Sequence, residues 1–176
     1  MPNWCENTLS IDGEEKILKE FKEKAKTIES EKTRETDLSL NQFIPMPEFE
    51  EEEWYEWAID NWGCKWDITA YINHESKKEL IYTFDSPWSP PLEAIKRISK
   101  LYPTLNFTID YAEPGMCFGG IKTYKNGKEI ESDEYDIESC WECGQHFKLG
   151  EGMLTETEGE EGEMFCYDCL KLKSKE

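Results

Sequence analysis

Two Cys-x-x-Cys pairs stand near the end of the sequence, Cys140-Trp141-Glu142-Cys143 and Cys166-Tyr167-Asp168-Cys169, with twenty-two residues between them. One such pair brings two sulfurs to a single ion within a tight turn. Two pairs complete a tetrahedral thiolate shell, the donor set that suits zinc. Gly144 follows the first pair, as a knuckle turn requires. Residues from Phe147 to Leu154 and from Met164 to Phe165 can then form a hairpin across an acidic tip, Glu158 to Glu163. The short basic segment Leu170 to Lys175 is a candidate helix. Knuckle, hairpin and helix would make a treble clef or a zinc ribbon. The expected cofactor is therefore a structural Zn2+ on Cys140, Cys143, Cys166 and Cys169. A redox dithiol fits less well, because neither pair sits in a βαβ setting. A catalytic zinc would need an open position or His146 in place of a sulfur, and four cysteines already fill the shell.

The remaining cysteines, Cys5, Cys64 and Cys117, stand alone and read as small packed residues. No Ser-His-Asp order, phosphate-binding loop or Gly-x-Gly-x-x-Gly occurs. The two histidines, His74 and His146, leave acid-base chemistry to carboxylates too numerous to single out a pair. No catalytic residue is assigned. One further constellation is a set of turn-rich stretches carrying Asn61, Trp62, Lys65, Trp66, Asp67, Trp88, Glu113, Met116 and Phe118. If these turns converge they form an aromatic-lined ligand or partner surface. Otherwise the tryptophans fill the core while glycines and prolines set the turns.

The elements that must position these residues follow from periodicity. Leu9 and Ile11 alternate in a first strand. Asp12 is placed to cap a helix to about Ile28, whose apolar face holds Ile17, Leu18, Phe21 and Ala25. Leu38 to Pro47 is extended, and Pro45-Met46-Pro47 forbids a helix there. A second helix is expected over Glu48 to Asn61, stopped by Gly63. Trp66 to Ile72 and Leu80 to Phe84 read as a hairpin. Ser89 and Pro90 would start a third helix bearing Leu92, Ile95, Ile98 and Leu101. Leu105 to Tyr111 and Phe118 to Tyr124 are strands, the second closed by the turn Asn126-Gly127.

Removing the middle insertion leaves β-α-β-β-α-β. The expected class is α+β, a ferredoxin-like antiparallel sheet with helices on one face, plus a small C-terminal zinc-binding module. The expected domains are 1–130 for the sheet, 131–138 as an acidic linker and 139–176 for the metal module.

Charge bounds the function. The 176 residues carry 20 basic and 39 acidic side chains, a net charge of −19. That field repels phosphates, disfavours direct nucleic-acid binding and attracts basic surfaces. The basic patches Lys19 to Lys26 and Lys171 to Lys175 are short. The start Met1-Pro2-Asn3-Trp4-Cys5-Glu6-Asn7 lacks the pattern of a secretion signal, and no stretch is apolar enough to span a membrane. A cytoplasmic location is expected.

Several stretches also carry a family resemblance. They are the opening residues through Leu9, then Phe43-Ile44-Pro45-Met46-Pro47, Asn61 through Asp67, Phe84 through Pro91, and Glu113-Pro114-Gly115-Met116. In this order they resemble the phage and plasmid family with the YubB ferredoxin-like domain, over about residues 1–130. The resemblance implies a ferredoxin-like fold, no iron-sulfur cluster, a bacteriophage or mobile-element origin and no assigned activity. The expected role is a non-enzymatic accessory protein that binds a host protein with a basic surface, as an anti-defence factor or nucleic-acid mimic. Two other roles are open: a nucleic-acid-binding or regulatory protein using the zinc module, and an enzyme or small-ligand binder using the Trp62/Trp88/Glu113 region.

Overall fold

The computed structural model describes residues 2–28, 35–50, 53–140, 142–149, 152–155 and 163–169. The expected acidic tip at 158–163, the candidate helix at 170–175 and most of the charged loop at 30–37 lie largely outside them.

Strand β1 (Trp4–Asp12) is central. Its odd positions Cys5, Asn7, Leu9 and Ile11 are buried, the period-2 pattern of a sheet with one covered face. It pairs antiparallel with β3 (Glu79–Pro87) on one side and β4 (Asn106–Glu113) on the other. Strand β2 (Tyr71–Glu75) pairs with β3 across a bulge at Ile72/His74. The order β2-β3-β1-β4 is that of the ferredoxin-like sheet, as expected. Helix α1 (Glu15–Ala25) and helix α3 (Leu92–Leu101) cover the odd face of β1. Leu18, Phe21, Ile95 and Ile98 join Leu9, Ile11, Tyr82 and Phe107 in one core cluster.

Three further strands extend the sheet beyond β4: β5 (Phe118–Lys125), β6 (Lys128–Ser139) and β7 (His146–Lys148). The β5–β6 turn is Asn126-Gly127, with φ of 50° and 73°, as a tight hairpin between right-twisted strands demands. The acidic stretch 131–138 was expected as a linker and is instead the body of β6. Ile121 faces Asp133 and Gly119 faces Tyr135 in register. Its charges point to solvent from an edge-side strand, so the low apolar content that suggested a linker reflects exposure. Gly120 permits this pairing, since a Cβ there would lie 2.6 Å from Tyr111 Oη and 2.9 Å from the Asp133 carbonyl oxygen.

Local boundaries differ where side chains chose other partners. Asp12 does not cap α1. It stays in β1 and accepts from Asn106 Nδ2 at 2.6 Å, and Glu14 holds the cap position. Helix α1 stops at Ala25, leaving Ile28 78% exposed. Ser89 does not cap α3. Its hydroxyl donates to the Gly63 carbonyl at 2.7 Å, tying the insertion to the sheet, and α3 begins after Pro91. Helix α2 spans Trp54–Trp62 and ends on Gly63 at φ 85°, the left-handed stop that glycine favours. Among the described residues, no helix is long and apolar enough to cross a membrane.

The insertion between α1 and β2 is held by a buried carboxylate. Asp67 Oδ1 accepts the N–H groups of Leu40 and Ile68, and Oδ2 accepts the Ser39 hydroxyl and the Asn41 N–H. Asp67 thereby caps the 3₁₀ turn Leu40–Gln42 from a distant part of the chain. Desolvation raises its pKa despite these four donors. In Asp67→Asn only one acceptor oxygen remains, so two donors lose their partner. The expected cost is about 2–3 kcal/mol of unfolding free energy, measured by denaturant titration.

Candidate metal centre and the surfaces around it

The four cysteines of the two Cys-x-x-Cys pairs come together. Their Sγ atoms all lie within 4.8 Å of one another. The Cys143 and Cys166 sulfurs are 3.8 Å apart. Sulfurs bound at about 2.3 Å around one tetrahedral ion stand roughly 3.8 Å apart, so the cluster has the size of a four-thiolate metal site. All four thiols are free.

The knuckle that presents the first pair is built from the backbone. Gly144 N–H donates to the Cys140 carbonyl at 2.8 Å, and Cys140 N–H donates to the Gln145 carbonyl at 2.9 Å. Gly144 sits at φ 71°, the turn that the sequence pattern required. The second pair lies at the end of β9 (Glu163–Cys166), which pairs with β8 (Gly152–Thr155), and the chain then enters a helical turn at 167–169. The hairpin expected from 147–154 against 164–165 is present only between 152–155 and 163–166, because Phe147 and Lys148 pair with β6 instead.

Backbone amides also set the electrostatics. Desolvation opposes ionisation of Cys140, but N–H groups of Cys166, Cys143 and Glu142 aimed at its sulfur outweigh it and bring the thiol down to about 6. Hydrogen bonding among the sulfurs holds the Cys169 thiol well above its ordinary range. Four thiols this close cannot all ionise without a cation between them. The arrangement is thus compatible with a metal centre, and binding would release protons. His146 is not a member of the cluster, and its Nδ1 is hydrogen-bonded to Ser139 Oγ at 2.9 Å.

Among the described side chains, the module's apolar cluster is Cys140, Cys166 and Cys169 with Phe165 and Phe147. It leans on the sheet through β7, which pairs with the end of β6 at Ile137, Glu138 and Ser139. Lys148 bridges back to Asp133 at 2.7 Å and lies 4.6 Å from the Tyr135 ring.

The tryptophan-rich turns meet at one end of the sheet, around Asn3 and Trp4. Trp88 N–H donates to the Asn3 carbonyl at 2.9 Å. The Trp4 and Trp66 rings pack edge to face at 6.4 Å. Gly115 lies against Asn3, where a Cβ would come within 2.7 Å of the side-chain amide. They do not form one groove. Glu113 is 1% exposed and its carboxylate accepts the Met116 N–H, so it closes the 114–117 turn. Trp88 projects outward at φ 69°, a costly backbone for a bulky residue. Met116 is exposed, Lys65 rides 5.1 Å over the Trp66 ring, and Asn61 is spent on Trp57 and Arg97. Phe118 lines a separate hollow of about 490 Å³ with Tyr111 and Tyr135.

Trp62, Trp66 and Asp67 line a different cleft, of about 510 Å³, with Asn41, Gln42, Met46 and Trp54. These last four were not singled out in the sequence. Asn41 and Gln42 look like ordinary loop residues, and Trp54 like one more core tryptophan of α2. Cys5 and Cys64 behave as packing residues, as expected, whereas Cys117 is exposed in the turn after Glu113, at φ 59°. Burial pushes the Cys5 and Cys64 thiols up to about 12.

The opposite, helix-free face of the sheet mixes acidic and hydroxyl side chains with the exposed rings of Trp4 and Tyr71. Glu6 stands directly across from Asp85, and Thr8 lies between Thr83 and Asp110. Asp133 extends the same row two strands further through Ile121. Desolvation raises the Asp110 pKa, against a hydrogen bond from Tyr135.

These features define a ferredoxin-like protein extended at one sheet edge and carrying a four-cysteine cluster. Residues 65–165 match the family described as the ferredoxin-like domain in Api92-like protein, and the chain belongs to that family. The match runs through β6 and the first Cys-x-x-Cys pair and ends one residue short of Cys166. Among solved structures, the protein api92 from Yersinia pseudotuberculosis is similar, at 24% identity and a TM-score of 0.40 over 48% of this chain. This chain spans 30% of the length of that protein. No curated protein matches the chain.

Proposed function

We propose that this chain is a non-enzymatic binding protein of phage or mobile-element origin, in which Zn2+ fills the four-cysteine centre as a structural ion. Its partner is a host protein with a basic surface, and its docking face is the helix-free side of the sheet. The observation that carries this reading is the set of exposed carboxylates Glu6, Asp85 and Asp110 on neighbouring positions of that face. A ferredoxin-like sheet that reads RNA places aromatic rings on its central strands for bases to stack upon. Here Glu6 on β1 and Asp85 on β3 repel phosphates and pair with lysine and arginine, while the exposed rings on this face are Trp4 at the start of β1 and Tyr71 on the edge strand β2. A carboxylate set in a field of −19 has the charge character of a nucleic acid and suits a site built to hold one, such as that of a host defence nuclease. Four thiolates in tetrahedral spacing suit zinc, with no open coordination position for catalysis.

The triple variant Glu6→Gln, Asp85→Asn, Asp110→Asn tests the docking face. All three side chains are exposed, so stability should change by no more than about 0.5 kcal/mol per site. Partners captured by the wild-type chain from host lysate are identified by mass spectrometry and their affinity for both proteins is measured. The expected result is a loss on the order of ten-fold or more at ~50 mM salt, with a flatter salt dependence. Equal affinity for the two proteins, or a gel shift of DNA or RNA by the wild-type chain, would contradict the reading.

A further inference from the structure

The insertion between α1 and β2 builds a cleft that the acidic-face reading leaves unused. Its volume is about 510 Å³, within the usual range for small-molecule sites. Indole rings of Trp54, Trp62 and Trp66 and the thioether of Met46 form its walls. Trp62 is almost fully buried, fixed by its Nε1–H on the Ile44 carbonyl at 3.0 Å and by Trp57 edge to face at 5.3 Å. Trp66 is 37% exposed, with Trp4 against its ring edge to face at 6.4 Å and the Lys65 ammonium 5.1 Å from its centre.

The polar groups of the cleft are neutral. Asn41 accepts the Met46 N–H through Oδ1 at 2.7 Å, which leaves its amide nitrogen as a free double donor. Gln42 donates through Nε2 to Thr27 at 3.1 Å, which leaves its Oε1 as a free acceptor. The one carboxylate of the wall, Asp67, is saturated by the four donors described above and has none of its acceptor capacity to spare for a cation.

Flat π-surfaces beside one free amide donor and one free amide acceptor match a planar heteroaromatic ring with both kinds of group on its edge. The net charge of −19 disfavours a phosphate on that ligand. We propose that the insertion cleft binds the base of an uncharged nucleoside, packed against the indoles of Trp54 and Trp66 and read at its edge by Asn41 and Gln42.

The full chain is titrated with adenosine, guanosine, cytidine and uridine, with adenosine 5′-monophosphate and ribose alongside, by indole fluorescence and calorimetry. Saturable binding of at least one nucleoside is expected, weaker binding of the monophosphate, and none of ribose. Trp66→Ala and, separately, Trp54→Ala should each weaken binding on the order of ten-fold, with the thermal unfolding midpoint of at least one variant close to wild type. Gln42→Ala should change the preference among bases. Absence of saturable binding by every nucleoside, monophosphate or ribose binding as tight as the nucleoside, or binding undiminished in both tryptophan variants would overturn the proposal. Because the cleft is separate from the Glu6/Asp85/Asp110 face, either reading can fail without the other.

Discussion

Replacing Cys166 with Ser is expected to release the C-terminal module from the sheet. Cys166 is 8% exposed and its sulfur is one edge of the four-thiolate cluster, 3.8 Å from Cys143. A structural zinc in so small a module supplies on the order of 10–16 kcal/mol of folding free energy at pH 7. Chelation of the wild-type chain should have the same effect. By amide hydrogen exchange, β7, β8 and β9 should lose protection, together with the end of β6, since β7 is its partner there. Leu9 and Ile109, both fully buried in the central strands, should keep theirs. Collapse of protection across β1 and β4 would show that the metal holds the whole sheet.

Phe21→Ala should strike the sheet instead. Phe21 is fully buried at the centre of α1 and stacks on Phe43 at 5.1 Å. It meets Tyr102, Phe107 and Tyr82 edge to face at 5.2, 5.7 and 6.3 Å. Truncating a buried phenylalanine costs about 3–5 kcal/mol, and edge-to-face partners push the value to the upper end. Domains of this size have about 5–15 kcal/mol in total. Thermal unfolding should therefore move down steeply, while the zinc content of the protein that remains folded stays at the wild-type level. A loss below about 1 kcal/mol would mean that the helix layer is not packed as described.

Much of the fold was legible because its signals are local. Leu9 and Ile11, Tyr82 and Phe84, and Phe107 and Ile109 alternate in the sequence and fall on one buried face. Gly63 and Asn126-Gly127 marked a helix stop and a hairpin turn by conformations that few residues adopt. The cysteine cluster was legible for the same reason, since the Cys-x-x-Cys spacing is itself the knuckle geometry. What the sequence concealed depends on long-range partners. Asp12 and Ser89 have the chemistry of caps, yet one is held by Asn106 and the other binds the Gly63 carbonyl across the insertion. Residues 131–138 lack an apolar face because β6 is exposed along most of its length, and its pairing to β5 is carried by backbone bonds that leave no composition signal. Glu113 and Trp88 were drawn into one surface with Trp62, although Glu113 is spent on the Met116 turn. The cleft owes its amides to Asn41 and Gln42, whose placement depends on Asp67, twenty-five or more residues away.

The most direct test of the metal centre is metal analysis of the purified full chain, paired with thiol counting. Among the seven cysteines, one zinc per chain is predicted, with Cys140, Cys143, Cys166 and Cys169 protected from alkylation until a chelator is added. A chain that carries no stoichiometric metal yet keeps β7, β8 and β9 ordered, or one whose ion is iron, would contradict the assignment.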